Sequence, residues 1–257
     1  MSLNMTAELY IRLVIKNHTV PVRSALMAFL AAKQLYPLIQ EWARPYSPLI
    51  IRSGSFAKGT AVIGGTDVDL FISLPSTIPY TLEDIYRSLA DYLRAYGYAV
   101  REQNVSIGIT YKGLSIDLIP AKRQPGSIYD HSVYRRKANT WTKTNVHKHV
   151  LLVKESGRLN EIRAVKIWRN LHSLEFPSFY LELSVINALR NRRVLTLSSN
   201  LWTVFQYLAD EFKDREIVDP ANSNNIISDD LTNVEKQAIA RTAYNTLLQS
   251  SWNKIIW

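Results

Sequence analysis

The chain has 257 residues, 47% hydrophobic, 11% aromatic and 21% charged, with 31 Lys and Arg against 22 Asp and Glu. That length suits one large domain or two fused ones, and apolar content near the globular average excludes an intrinsically disordered chain. The absence of cysteine excludes a disulfide scaffold, a zinc ribbon and thiol chemistry, and only 9 Gly and 10 Pro exclude collagen-like or linker-rich designs.

In chain order, Thr6 to Lys16 and Arg23 to Trp42 read as helices. The second has apolar residues spaced three and four apart and Pro21 ahead of it. Leu49 to Arg52 is a short β-like run, followed by a glycine-rich turn and a second run, Val68 to Leu74. Thr81, with Asp84 three residues on, opens a helix over Leu82 to Ala95. Val105 to Tyr111 and Ser115 to Pro120 read as strands joined at a Lys112-Gly113 hairpin turn. After Pro120 the strand signals stop. Helices are expected over Thr144 to Lys154, Asn160 to His172, Ser178 to Arg190, Ser198 to Phe212 and Thr232 to Trp252. The pattern predicts a small mixed α/β half, residues 1–125, and a helical half, residues 126–257, sharing a cleft.

No apolar run approaches the ~20 residues needed to cross a bilayer. The N-terminus, with Glu8, lacks the basic-then-apolar order of a signal peptide. A cytoplasmic protein with no membrane partner is the expectation. The net charge of +9 favours anionic partners. Seven basic residues and one acid, Asp130, lie between Ala121 and Val150, whereas Ala209 to Glu235 carries eight acids against Lys213 and Arg215. A soluble dipolar surface accounts for this as well as a polyanion path does.

The residues that point to chemistry surround the glycine-rich turn. Gly54-Ser55 opens it, and Asp67-Val68-Asp69 closes it into the second strand. Residues two apart on a strand share a side, so Asp67 and Asp69 set two carboxylates together. That is unfavourable unless a cation sits between them, and a hard divalent ion is suited to oxygen ligands. Asp117 is a third isolated acid, inside Ile116, Leu118 and Ile119. Three carboxylates on neighbouring strands can hold two Mg²⁺ or Mn²⁺ ions for phosphoryl chemistry. Each part alone has an ordinary explanation: Gly-Ser is a common turn, and Asp-x-Asp is often a solvated strand edge. Their order and spacing together are more specific.

The stretch Gly54 to Asp69, with Asp117 downstream, resembles the signature of the DNA polymerase β-like nucleotidyltransferase superfamily. Trp141 to His147, Lys166-Ile167-Trp168 and Pro177 to Glu182 are similar to motifs of the CD-NTases, bacterial relatives of cyclic GMP-AMP synthase and oligoadenylate synthase. Asp219-Pro220, Asn224-Asn225 and Trp252 resemble that family's C-terminal segment. The resemblance implies an α+β fold, with a polymerase β-like mixed sheet, flanking helices and a C-terminal helical bundle. It implies metal ligation by Asp67, Asp69 and Asp117, phosphate contacts from Gly54 and Ser55, and a grip on the triphosphate by Lys166 and Ser178. Lys166 alternatively reads as a lysine reaching water, Ser178 as a helix N-cap, and Tyr180 either as a base-stacking ring or as core.

The function so implied is template-independent joining of nucleoside triphosphates into a cyclic di- or oligonucleotide messenger in antiviral defence, with release of pyrophosphate. An activator protein or RNA is compatible with it. Without cysteine there is no zinc-binding insertion, which argues against direct sensing of double-stranded DNA. The alternatives are addition of nucleotides to an RNA 3′ end, as in archaeal CCA-adding enzymes, and a silent binding module, against which the three acids argue.

Overall fold

A computed structural model describes residues 6–64, 67–192 and 196–257. Gly65 and Thr66 of the glycine-rich turn lie outside the described residues. Helix α1 (Ala7–His18) starts at Thr6, whose hydroxyl accepts from the Leu9 N–H. The single helix expected from Arg23 to Trp42 is two, α2 (Val22–Lys33) and α3 (Tyr36–Trp42). Pro37 explains the break: it sits in the first turn of α3 and has no N–H with which to continue α2. Then come β1 (Leu49–Arg52), the short helix α4 (Gly54–Lys58), β2 (Val68–Leu74) and α5 (Leu82–Ala95). The last is opened by a reciprocal Thr81–Asp84 capping box. β3 (Arg101–Glu102), β4 (Ile107–Tyr111) and β5 (Leu114–Arg123) follow. Lys112 and Gly113 both have positive φ, 49° and 75°, as a tight hairpin between β4 and β5 requires.

The strands do not stop at Pro120. β6 (His131–Arg135) and β7 (Thr140–Thr144) extend the same sheet. Then come α6 (Val146–Glu155), α7 (Leu159–Leu171), α8 (Ser178–Ala188) and α9 (Leu197–Asp210). A two-stranded hairpin, β8 (Val218–Asp219) with β9 (Asn222–Ile226), precedes α10 (Asn233–Leu247). The side chains of Asn145 and Thr196 cap α6 and α9, so the helices expected to open at Thr144 and Ser198 begin at Val146 and Leu197.

The sheet runs β1-β2-β5-β4-β3, with β6 and then β7 attached to the far half of β5. β2 and β5 are parallel, with Asp69 directly opposite Asp117. Side chains alternate along β2. Val68, Leu70, Ile72 and Leu74 enter a core with residues of α2, α3 and α5. Phe71 joins Ala121 and Val133 in a smaller cluster on the opposite face, the face of Asp69. The helical half has its own core, built on the rings of Trp168, Phe176, Tyr180, Phe205 and Phe212. Ile11, Val14 and Ile15 of α1 belong to that core. The first helix therefore packs with the C-terminal half, and the sheet continues to Thr144, so packing does not divide at residue 125. Among the described residues no helix is long and apolar enough to cross a membrane.

Candidate active site

Three short segments build the site: the turn from β1 into α4, the start of β2 and the middle of β5. Gly54 has a φ of +61°, and a Cβ added there would lie 1.7 Å from Asp69 Oδ2. Only glycine lets the turn press on that carboxylate while holding a left-handed backbone. The Ser53 N–H donates to the Asp69 carbonyl at 3.0 Å, fixing turn to strand. Gly54→Ala is therefore expected to displace Asp69 and lower kcat/KM by about a hundredfold, since shifts near 1 Å in a reacting constellation have that effect. A turnover assay alongside a thermal melt checks this; unaltered turnover would show that the close approach is dispensable.

Asp67 precedes β2 and is half-buried. Burial first, then the charges of Asp117 and Asp67, push Asp69 up to about 7, while Lys58 and Lys166 pull the other way. Asp117 is raised by burial and by Asp67, against the pull of Ser106, Arg101 and Gln103. Its Oδ1 accepts from Gln103 Nε2 at 3.0 Å and its Oδ2 from Ser106 Oγ at 3.3 Å. Gly108, opposite Asp117 on β4, keeps this space open, because a Cβ there would lie 3.0 Å from the Gln103 amide nitrogen. Among the described residues no three acidic or histidine side chains are drawn together as in a finished metal cage. Bare carboxylates repel, and Asp117 rests on its two neutral donors. The donor set still fits a hard divalent cation: all ligands are carboxylate oxygens, and a cation would offset the repulsion that raises Asp69 and Asp117. A cleft of about 340 Å³ opens here, lined by Ser53, Gly54, Asp69, Ser106 and Asp117 over an apolar floor that includes Phe71, Ile119 and Val133.

On the helical side the arrangement departs from expectation. Lys166 is buried, its Nζ 2.7 Å from Glu182 Oε1 and 3.0 Å from Thr60 Oγ1. Lys58 Nζ lies 2.8 Å from Glu182 Oε2 and 4.3 Å from the Phe179 ring centre. Burial alone would raise Glu182, but the two lysines outweigh it and hold its carboxyl below the usual range. Burial lowers the Lys166 ammonium against the pull of Glu182. So the anion that Lys166 meets here is a side chain. Ser178 is the first residue of α8 and not its cap; that position is Pro177, and the Ser178 hydroxyl accepts from Arg169 at 3.0 Å. Tyr180 is fully buried, edge-on to Phe176 and tilted on Phe212, so its ring has no face left for a base.

Sequence reasoning missed Gln103, Ser106, Lys58, Thr60 and Glu182. A signal existed for the last: Glu182 stands alone among Leu181, Leu183 and Val185, as Asp117 does on its strand.

No protein-family model matches the chain. A CCA-adding enzyme of Methanosarcina barkeri is 31% identical over 119 residues, 43% of this chain and 26% of that enzyme. The cyclic AMP-AMP-AMP synthase of Escherichia coli MS 115-1 is 27% identical over 161 residues, 55% of this chain and 50% of the synthase. The chain thus spans between about a quarter and half of these curated relatives. Among solved structures, CdnC of E. coli MS115-1 in complex with HORMA-deltaN superposes with a TM-score of 0.78 at 21% identity, covering 95% of this chain and 90% of CdnC. The nucleotidyltransferase fold of the chain is one it shares, over nearly its whole length, with bacterial CD-NTases.

Proposed function

We propose that the chain is a template-independent nucleotidyltransferase that joins nucleoside triphosphates into a cyclic di- or oligonucleotide messenger and releases pyrophosphate. The observation that carries this reading is the pairing of Asp69 with Asp117 across parallel strands, beside Asp67 and against the Gly54 turn. The sequence match to the E. coli cyclic AMP-AMP-AMP synthase, over 55% of the chain, supports a CD-NTase over an RNA-extending enzyme, since the CCA-adding match covers 43%.

Asp67, Asp69 and Asp117 would hold two divalent ions, Mg²⁺ or Mn²⁺, which lower the pKa of an attacking hydroxyl and neutralise charge on the phosphates. Asp117, steadied by Gln103 and Ser106, orients the acceptor hydroxyl. Gly54 and Ser55 present the turn to the β- and γ-phosphates. Lys166, paired within the protein, acts on the triphosphate through its charge rather than by contact, and Ser178 meets it from the exposed start of α8. The cleft excludes water from one side and brings donor and acceptor together. A partner protein as activator is supported by the CdnC complex with HORMA-deltaN. A role in the cytoplasm, in antiviral defence, rests on the resemblance alone.

Purified protein given labelled ATP, GTP, CTP and UTP with Mg²⁺ or Mn²⁺ should give phosphatase-resistant products and free pyrophosphate, alone or with its activator. Linear products, or products formed only on added RNA, would instead establish the 3′-end-adding reading.

A further inference from the structure

The register across β5, β4 and β3 sets Asp117 opposite Gly108, and Gly108 opposite Arg101. Directly paired residues share a face of the sheet, so Arg101 stands on the face of Asp69 and Asp117. Gly108 lets its side chain reach toward them. The backbone at Gly108 is not left-handed and does not itself call for glycine. The space does: a Cβ there would lie 3.0 Å from Arg101 Nη2 and 3.1 Å from Asp117 Oδ1. Glycine inside a strand weakens it and marks a place of close approach. Here it lets the arginine fold back over β4 toward the carboxylate.

Arg101 is nonetheless exposed. Its Nη2 donates to Ser115 Oγ at 2.8 Å and its Nη1 to Thr110 Oγ1 at 3.5 Å, so two neutral hydroxyls hold the guanidinium. Glu102, the next residue, faces the other side of the strand and pairs with Arg94. Among the described residues no acid forms an ion pair with Arg101, and three of its five N–H donors remain unused. A steadied, water-facing fork of this kind matches the oxygens of a phosphate.

Its place on the sheet says which phosphate. The face runs from the Gly54 turn beside β1 through Asp69 on β2, Asp117 on β5 and Gly108 on β4 to Arg101 on β3. A donor gripped at the Gly54 turn lies on one side of the acids. An acceptor whose hydroxyl meets Asp117 lies on the other, toward Arg101. We propose that Arg101 binds a phosphate group of the acceptor nucleotide and not of the donor. This rests on the nucleotidyltransferase reading of the site.

Calorimetry with Mg²⁺ and the α,β-methylene analogues of ATP, GTP, CTP and UTP, which cannot transfer their nucleotide, separates the two sites. Wild type should take up two nucleotides per chain. In Arg101→Gln the second should bind about tenfold more weakly, the low end for a hydrogen bond to a charged group, with the first unchanged. The variant should melt as wild type does without nucleotide. Arg101→Lys, which keeps the charge and loses the fork, should retain more of the second affinity than Arg101→Gln. Unchanged binding of the second nucleotide in Arg101→Gln overturns the proposal, as does an equal loss at both sites. Wild type that takes up only one nucleotide overturns it too and leaves the nucleotidyltransferase reading standing. Wild type that takes up none of the four overturns that reading itself.

Discussion

Asp69→Asn is expected to lower turnover on the order of a hundred- to a thousandfold and, in metal-free buffer at pH 8, to raise the melting temperature. The two effects have one cause. In the folded chain burial and the neighbouring acids push Asp69 from 3.8 up to about 7. The folded state then holds its proton more tightly than the unfolded state does, so stability falls as pH rises between about 4 and 7 and stays reduced above that. Removing the charge recovers on the order of 2–4 kcal/mol at pH 8, roughly 5–10 °C for a chain of this size. Near pH 4 the gain should vanish, because the wild-type carboxyl is then protonated in the folded protein. Mg²⁺ should stabilise wild type more than the variant. Melting curves across this pH range, with and without Mg²⁺, read all of it; a variant that melts lower at pH 8 would show that Asp69 is not under electrostatic strain.

Glu182→Ala carries the largest stability effect. Glu182 is wholly buried and is shared by Lys58 and Lys166, with Thr60 Oγ1 donating to Oε1 at 2.7 Å. Taking away the carboxylate that both buried ammonium groups contact leaves them with only the weaker pull of Asp69, a loss of about 3–5 kcal/mol by analogy with other broken buried pairs. It also unties α4, the helix that follows β1, from α7 and α8. Denaturant unfolding should record the destabilisation, and Glu182→Gln should show a smaller one, because one oxygen remains to accept from Lys166 and Thr60. A cost below about 1 kcal/mol in Glu182→Ala would show that the lysines find water instead.

The parts of the fold that were legible in the sequence are those fixed by local signals. β1 and β2 match the apolar runs residue for residue, α5 begins and ends as its capping box and periodicity require, and the turn at Lys112-Gly113 stands between the strands it was expected to join. Three acids on neighbouring strands were expected, whereas the register that sets Asp69 directly opposite Asp117 was not readable from the sequence. What escaped was decided by tertiary contact. β6 and β7, with sequences HSVYR and TWTKT, are polar strands at the margin of the sheet, without the apolar run that marks a buried strand. Lys58 and Glu182 lie 124 residues apart, and no spacing rule connects them. Tyr180 was open between base and core on the sequence alone, and only the rings of Phe176 and Phe212 decide it.

The placement of α1 has a consequence for how the molecule could be divided. Ile11, Val14 and Ile15 are buried among residues from the other end of the chain, and the Tyr10 hydroxyl donates to the Ile256 carbonyl at 3.0 Å. A fragment cut after the sheet would leave those aliphatic side chains exposed on one piece and a matching furrow on the other. Expressed separately, each piece would tend to aggregate; produced together, the two should reassemble as a split protein, with the opening helix acting as the clasp.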